Sequence, residues 1–307
     1  MNEFNVEIDP SSARQTLQFA TDVDTRLPKD WYKHRSYSLA LEHAKRYGLE
    51  FDKDSFNNAL ICIKDNRKNP KYRERMKGYL SFLESITAEQ DSFMNQTQKV
   101  IFEYLPLKTS ICAKIYLSVF QPQYAFTLDT DVVLNIAHSF YKASVPKLFV
   151  LVTHELYHVG FGQYQKDALP ELECKNREEL AQNIAWQIQN EGMATYVASY
   201  VWNTNPQVHI HDYELLSDSS CIAKAFRKLR DLLDELQTGD ISSIKKSIWD
   251  IGIIERVFYV TGARMAQVIE EKLGQPRLIQ TIVNGSQDFI EIYLQVEQNS
   301  KFRFLIR

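Results

Sequence analysis

The chain has 307 residues, 44% of them hydrophobic and 24% charged, enough for two or three subdomains around a sizeable core. Its formal net charge of −3 offers no broad basic field, so nucleic acid is not an expected partner. No segment approaches the apolar length of a membrane span, and the opening MNEFNVEIDPSSAR has no basic n-region and no apolar h-region. The expected location is therefore cytoplasmic, or secreted or in the cell envelope if an export signal has been removed. Cys62, Cys112, Cys174 and Cys221 are widely separated and form no CxxC pair, which predicts reduced, mostly buried thiols.

The first hundred residues read as helices. Ser36–Gly48 and Tyr72–Ile86 carry apolar stripes at helical spacing, and the stretch from Thr87 to Leu105 adds another helix. The basic run Arg67–Lys77 reads as a solvated helix face or loop. The pattern changes near Pro106. Ala113–Phe120, the run YAFTLD and Val132–Ile136 are three short strands separated by turn residues, which predicts a small, mainly antiparallel sheet. A helix opening at Pro146 behind Ser144 should stop at Gly160 and Gly162. The next should start behind Asn176, with Glu179 three residues later as in a capping box, and run to about Trp202. The remainder is again helical, and the terminal KFRFLIR alternates like a strand. The expectation is a predominantly helical α+β fold with three regions: helical 1–105, a core of sheet and two helices over 106–203, and helical 204–307.

The chemistry concentrates in LFVLVTHELYHVGFG, Leu148–Gly162. His154 and His158 are four apart, so a helix places both rings on one face, where two imidazoles can share one metal ion. Glu155 lies beside them as the carboxylate base of an H-E-x-x-H pattern. The flanks are apolar on nearly all sides, so the helix is buried and its polar residues need partners. A catalytic zinc takes three protein ligands and keeps one position open. Tyr164 and Phe161 stand where a metzincin needs histidine and glycine. Glu178 and Glu179 fit a helix first turn without any metal. Glu191 differs, because it is in line with Leu180, Ile184, Ile188, Thr195 and Ala198 on an apolar helix face. Metal ligation would satisfy such a carboxylate, and so would a buried arginine or lysine.

HELYH followed by NEGMA resembles the gluzincin zinc metallopeptidases, the thermolysin-like group, over roughly Pro146–Trp202 and the preceding strands. The chain is also similar to uncharacterised bacterial proteins assigned as zinc-dependent peptidases. The resemblance implies a zincin-like catalytic core, His154, His158 and Glu191 as ligands of one Zn2+ per chain, and Glu155 as general base. It also implies an acidic residue four after the glutamate ligand, where this chain has Thr195, a weaker acceptor. The exopeptidase stretch G-x-M-E-N is missing.

The implied activity is zinc-dependent hydrolysis of a peptide or protein substrate. Val132–Ile136, taken as an edge strand, would pair with the extended peptide. The oxyanion donor is sought among Tyr259, Arg264, His138, His209 and His211, with Tyr259 favoured. Two other readings stand beside this one. One is a zinc-binding regulatory protein that no longer cleaves. The other is a di-iron carboxylate protein, which would need a second E-x-x-H that the chain lacks.

Overall fold

The computed structural model describes residues 2–26, 31–119, 121–164, 173–205 and 207–297. The chain divides into two units, Glu3–Gln98 with Ser110–Val159, and Lys99–Thr109 with Gly160 onward.

The first unit holds all four strands found among the described residues, β1 (Glu3–Asp9), β2 (Ser110–Ser118), β3 (Ala125–Leu128) and β4 (Asp131–Asn135), in spatial order β1-β2-β4-β3. β1 runs parallel to β2, β2 parallel to β4, and only the β3–β4 pair is antiparallel. The expected mainly antiparallel sheet is therefore corrected to a mixed, mainly parallel one. The alternating EFNVEID was not read as a strand, and it pairs with β2 across a hundred residues of sequence. Reading three successive short strands as a meander assumed that sequence neighbours pair. Instead β4 inserts between β2 and β3, and the Asp129–Thr130 turn, with Asp129 at φ 55°, closes only the β3–β4 hairpin. Val132, Val133 and Leu134 are fully buried, as expected for an interior strand covered on both faces. β4, which covers most of Val132–Ile136, is thus not an edge strand, which corrects that expectation too; the edges are β1 and β3.

The helices of this unit are α1 (Ser11–Thr21), α2 (Arg35–Arg46), α3 (Lys53–Asn66), most of α4 (Pro70–Glu103) and nearly all of α5 (Val145–Phe161). The two helices expected over residues 72–105 are one, because neither glycine nor proline interrupts the run after Gly78. Tyr37, Leu39 and Phe56 from the helices pack with Tyr116, Phe126, Leu128 and Val133 from the sheet.

The second unit is helical throughout its described residues. It comprises α6 (Arg177–Asn203), α7 (His211–Leu216), α8 (Ser219–Thr238), α9 (Ile241–Ser247), a π-helical turn (Ile248–Ile254), α10 (Val257–Leu273), α11 (Gln275–Asn284) and α12 (Ser286–Val296). The helical pattern from Tyr213 breaks where Asp218 caps α8 by accepting from Ser220 N at 2.7 Å. A second break falls at Arg256, which is left-handed at φ 63°. α10 lies directly on α6 at a pair of glycines. A Cβ on Gly192 would stand 2.3 Å from Gly262 Cα, and one on Gly262 only 2.0 Å from Ile188 O. Only hydrogen fits at either position.

None of the four cysteines forms a disulfide, but only Cys174 is buried; Cys62 and Cys112 are exposed, against expectation. No described helix is long and apolar enough to cross a membrane. KFRFLIR lies outside the described residues.

Candidate metal centre

α5 forms because its residues are apolar on almost every side. Leu148, Phe149, Val152, Leu156 and Phe161 are fully buried, and Thr153 Oγ1 pairs with Thr97 Oγ1 at 2.9 Å. Ser144 starts the helix with its carbonyl, which accepts from Leu148 N at 3.1 Å, and the helix stops at Phe161 between the two glycines. One turn apart on this helix, His154 and His158 present their Nε2 atoms to each other at 3.0 Å, with the rings at 87°. Two nitrogens bound to one tetrahedral ion at about 2.0–2.1 Å stand roughly 3.3 Å apart, so the rings are already near a shared-ion geometry.

Glu155 is 7% exposed. Its Oε2 accepts from Thr127 Oγ1 of β3 at 2.7 Å, while Thr127 lies 3.2 Å from the Glu155 carbonyl. Fully buried Tyr141 donates to Tyr124 O at 2.8 Å. Burial first, then the nearby Glu155 charge, holds its phenol far above the usual range. The Glu155 carboxylate is therefore buried with one oxygen already anchored.

α6 begins as expected, Asn176 Oδ1 accepting from Glu179 N at 2.9 Å. Leu180, Ile184, Ile188, Thr195 and Ala198 are all buried along one face. Glu191 in that row is half-buried, and Asn190 Nδ2 reaches its Oε1 at 3.4 Å. His154, His158 and Glu191 each offer one ligand atom, and these atoms all lie within 4.8 Å of one another. Two neutral imidazoles and one carboxylate make a borderline-soft N2O donor set that suits Zn2+.

The other candidate residues each have local contacts of their own. Tyr259 is buried in the first turn of α10, with the Arg256 guanidinium over its ring. Arg256 is itself held by two hydrogen bonds to Asp212, at 2.8 and 2.6 Å. Arg264 donates to Gln267 Oε1 at 2.9 Å. His138 Nδ1 accepts from Phe140 N at 3.1 Å, and burial lowers its pKa. The His209 and His211 side chains are exposed near Glu214. Thr195 is buried with no hydrogen-bond partner for its hydroxyl among the described residues.

Residues 29–301 match the model of a family described as "Putative zinc dependent peptidase (DUF5700)". The chain belongs to this family. The matched span includes both α5 and α6, and the family description and the His154–His158–Glu191 group together point to zinc as the metal. No curated protein and no solved structure matches the chain.

Three contributors escaped the sequence reading. Thr127 is one of many strand threonines until β3 is placed beside α5. Gly192 follows Glu191 directly, yet only its packing on Gly262 shows why a side chain is excluded there. Tyr141 looks like any core tyrosine in sequence. The only usable signal was glycine within two helical patterns, which often marks close packing.

Proposed function

We propose that the protein is a zinc-dependent peptidase of the gluzincin type, with one zinc per chain held by His154, His158 and Glu191. When bound, zinc supplies a Lewis acid that polarises a carbonyl oxygen and lowers the pKa of water toward neutrality. Glu155 is the general base. Thr127 holds Oε2, which leaves Oε1 to take a proton from water and pass it to the leaving amine. A fixed carboxylate in apolar surroundings needs little reorganisation as the proton moves. Tyr259 is the proposed donor to the oxyanion, and the Asp212–Arg256 pair limits how its ring can turn. An extended peptide would add to the free edge of β3, whose Thr127 is bonded to the base.

The carrying observation is the grouping of the three ligand atoms in a chain of a family described as zinc-dependent. Glu155→Gln tests the reading. The variant should keep one zinc per chain while hydrolysis of a mixed peptide library falls by about a thousandfold or more. Hydrolysis at the wild-type rate would defeat it. The unpartnered Thr195 hydroxyl favours a second reading, a zinc-binding protein without turnover, since no acidic acceptor stands at the position where gluzincins use one. Stoichiometric zinc with no cleavage of any library peptide by the wild type would select that reading.

A further inference from the structure

A concave site lies wholly within the helical unit, along the last turns of α6. It is a cavity of about 250 Å³ walled by Tyr196, Tyr200 and Trp202 of α6, Tyr213 of α7 and residues from the adjoining helices. Trp202 and Tyr213 stack with ring centroids 4.9 Å apart.

Apart from the exposed amide of Asn203, the polar side chains of its wall have a common property: each already donates a proton elsewhere. Ser199 Oγ donates to Tyr196 O at 2.6 Å, and Ser217 Oγ donates to Tyr213 O at 2.7 Å. The Trp202 indole N–H donates to Val208 O at 2.7 Å. Gln267 accepts from Arg264 and donates to Glu271, both at 2.9 Å. The tyrosine protons are ordered by a single carboxylate behind the wall. A carboxylate oxygen can only accept, so Tyr104 donates to Glu270 Oε1 at 3.1 Å and Tyr196 to Oε2 at 2.9 Å. Tyr200 must then be the donor in its 3.1 Å contact with Tyr196. Burial, helped by the neighbouring tyrosine and by Glu270, raises the Tyr104 and Tyr196 phenols, so these protons stay in place. Glu270 has no basic partner among the described residues, and no lysine, arginine or histidine lines the cavity.

The geometry points to a binding site for an organic cation, an ammonium or guanidinium group. The wall offers aromatic faces and oxygen lone pairs, with the Glu270 charge relayed through Tyr196 to Tyr200. A neutral ligand gains only hydrogen bonds from such a wall, and the Glu270 charge behind it disfavours an anion. A cation supplies the positive charge that the wall lacks, and donors for its tyrosine oxygens. The volume suits one basic side chain or a small free amine. This site uses none of the metal ligands.

Calorimetric titration with EDTA present tests it independently of zinc. N-acetyl-L-argininamide should bind saturably, and its neutral isostere N-acetyl-L-citrullinamide should bind about tenfold more weakly or not at all. Glu270→Gln should weaken the arginine derivative by roughly tenfold. Should that variant not fold, Ser199→Lys is the second arm. It changes a half-buried position at the wall and places a tethered ammonium in the cavity, so added ligand should no longer bind. Methylguanidinium identifies the source of the ligand. Binding as tight as that of the capped arginine indicates free small cations, and much weaker binding indicates a basic side chain of a polypeptide. Equal affinity for the citrulline compound, no saturable binding at millimolar concentration, or full binding by Ser199→Lys would each overturn the assignment.

Discussion

The two units hold their polar residues in different ways. In the sheet-bearing unit, α5 buries His154 and Glu155 inside an apolar shell, and Thr127 from the neighbouring strand satisfies the carboxylate. In the helical unit, α6 carries Gln189, Asn190 and Thr195 in its buried surface, and the Gln189 Oε1 and Thr195 Oγ1 atoms have no partner among the described residues. α5 is located by large side chains, such as Phe149 stacked on Phe93 at 4.5 Å. α6 is located by the absence of side chains where it meets α10. A helix positioned by bulk tolerates a modest cavity at a graded cost. One positioned by backbone contact has no slack.

The largest expected effect tests that contrast directly. Gly262→Ala puts a Cβ 2.0 Å from a backbone oxygen, and neither backbone can yield cheaply. It should destabilise the protein by about 5 kcal/mol or prevent folding. A thermal melt within 1–2 °C of wild type, less than roughly 1 kcal/mol, would show that the two helices can separate freely. Phe149→Ala in α5 should cost somewhat less, about 4 kcal/mol by denaturant titration, with folding retained.

Next comes a pH effect confined to the sheet-bearing unit. His43 of α2 stacks on Phe126 of β3 at 4.1 Å, and burial lowers its pKa to about 4. The unfolded imidazole titrates near 6.5, so protonation favours the unfolded chain. The stability from keeping His43 neutral is complete above pH 6.5 and is lost as pH falls toward 4, by about 3 kcal/mol in total. His43→Phe keeps the stacking and should flatten this part of the pH profile. An unchanged profile would remove His43 as its source.

The smallest effect concerns catalysis. Thr127→Val keeps the shape of the edge strand and removes the donor to Glu155. It should lower kcat about tenfold, near 1.4 kcal/mol, and lower stability by about 1 kcal/mol because the buried carboxylate loses its donor. A wild-type kcat would mean that Glu155 is held by its helix alone.

The metal motif was legible because its information is local. Helical periodicity alone puts His154 and His158 on one face, and the apolar flanks show that this face is buried. The cap at Asn176 and the apolar row through Glu191 follow from the same periodicity. Pairing was not legible. β1 joins β2 in parallel, and β4 displaces β3 to the edge, because hydrogen-bonded partners are chosen by packing across the whole unit and not by order along the chain. The break before α10 is similar. Nothing in IIERVFYV announces a left-handed arginine, and Asp212, forty-four residues earlier in the chain, holds it with two hydrogen bonds. The sequence by itself therefore determined which helix carries His154, Glu155 and His158, since spacing within one helix is a property of the backbone. Only the tertiary structure decided which strands lie at the edges of the sheet, what anchors Glu155 and why glycine follows Glu191, since each depends on a contact between residues far apart in the chain.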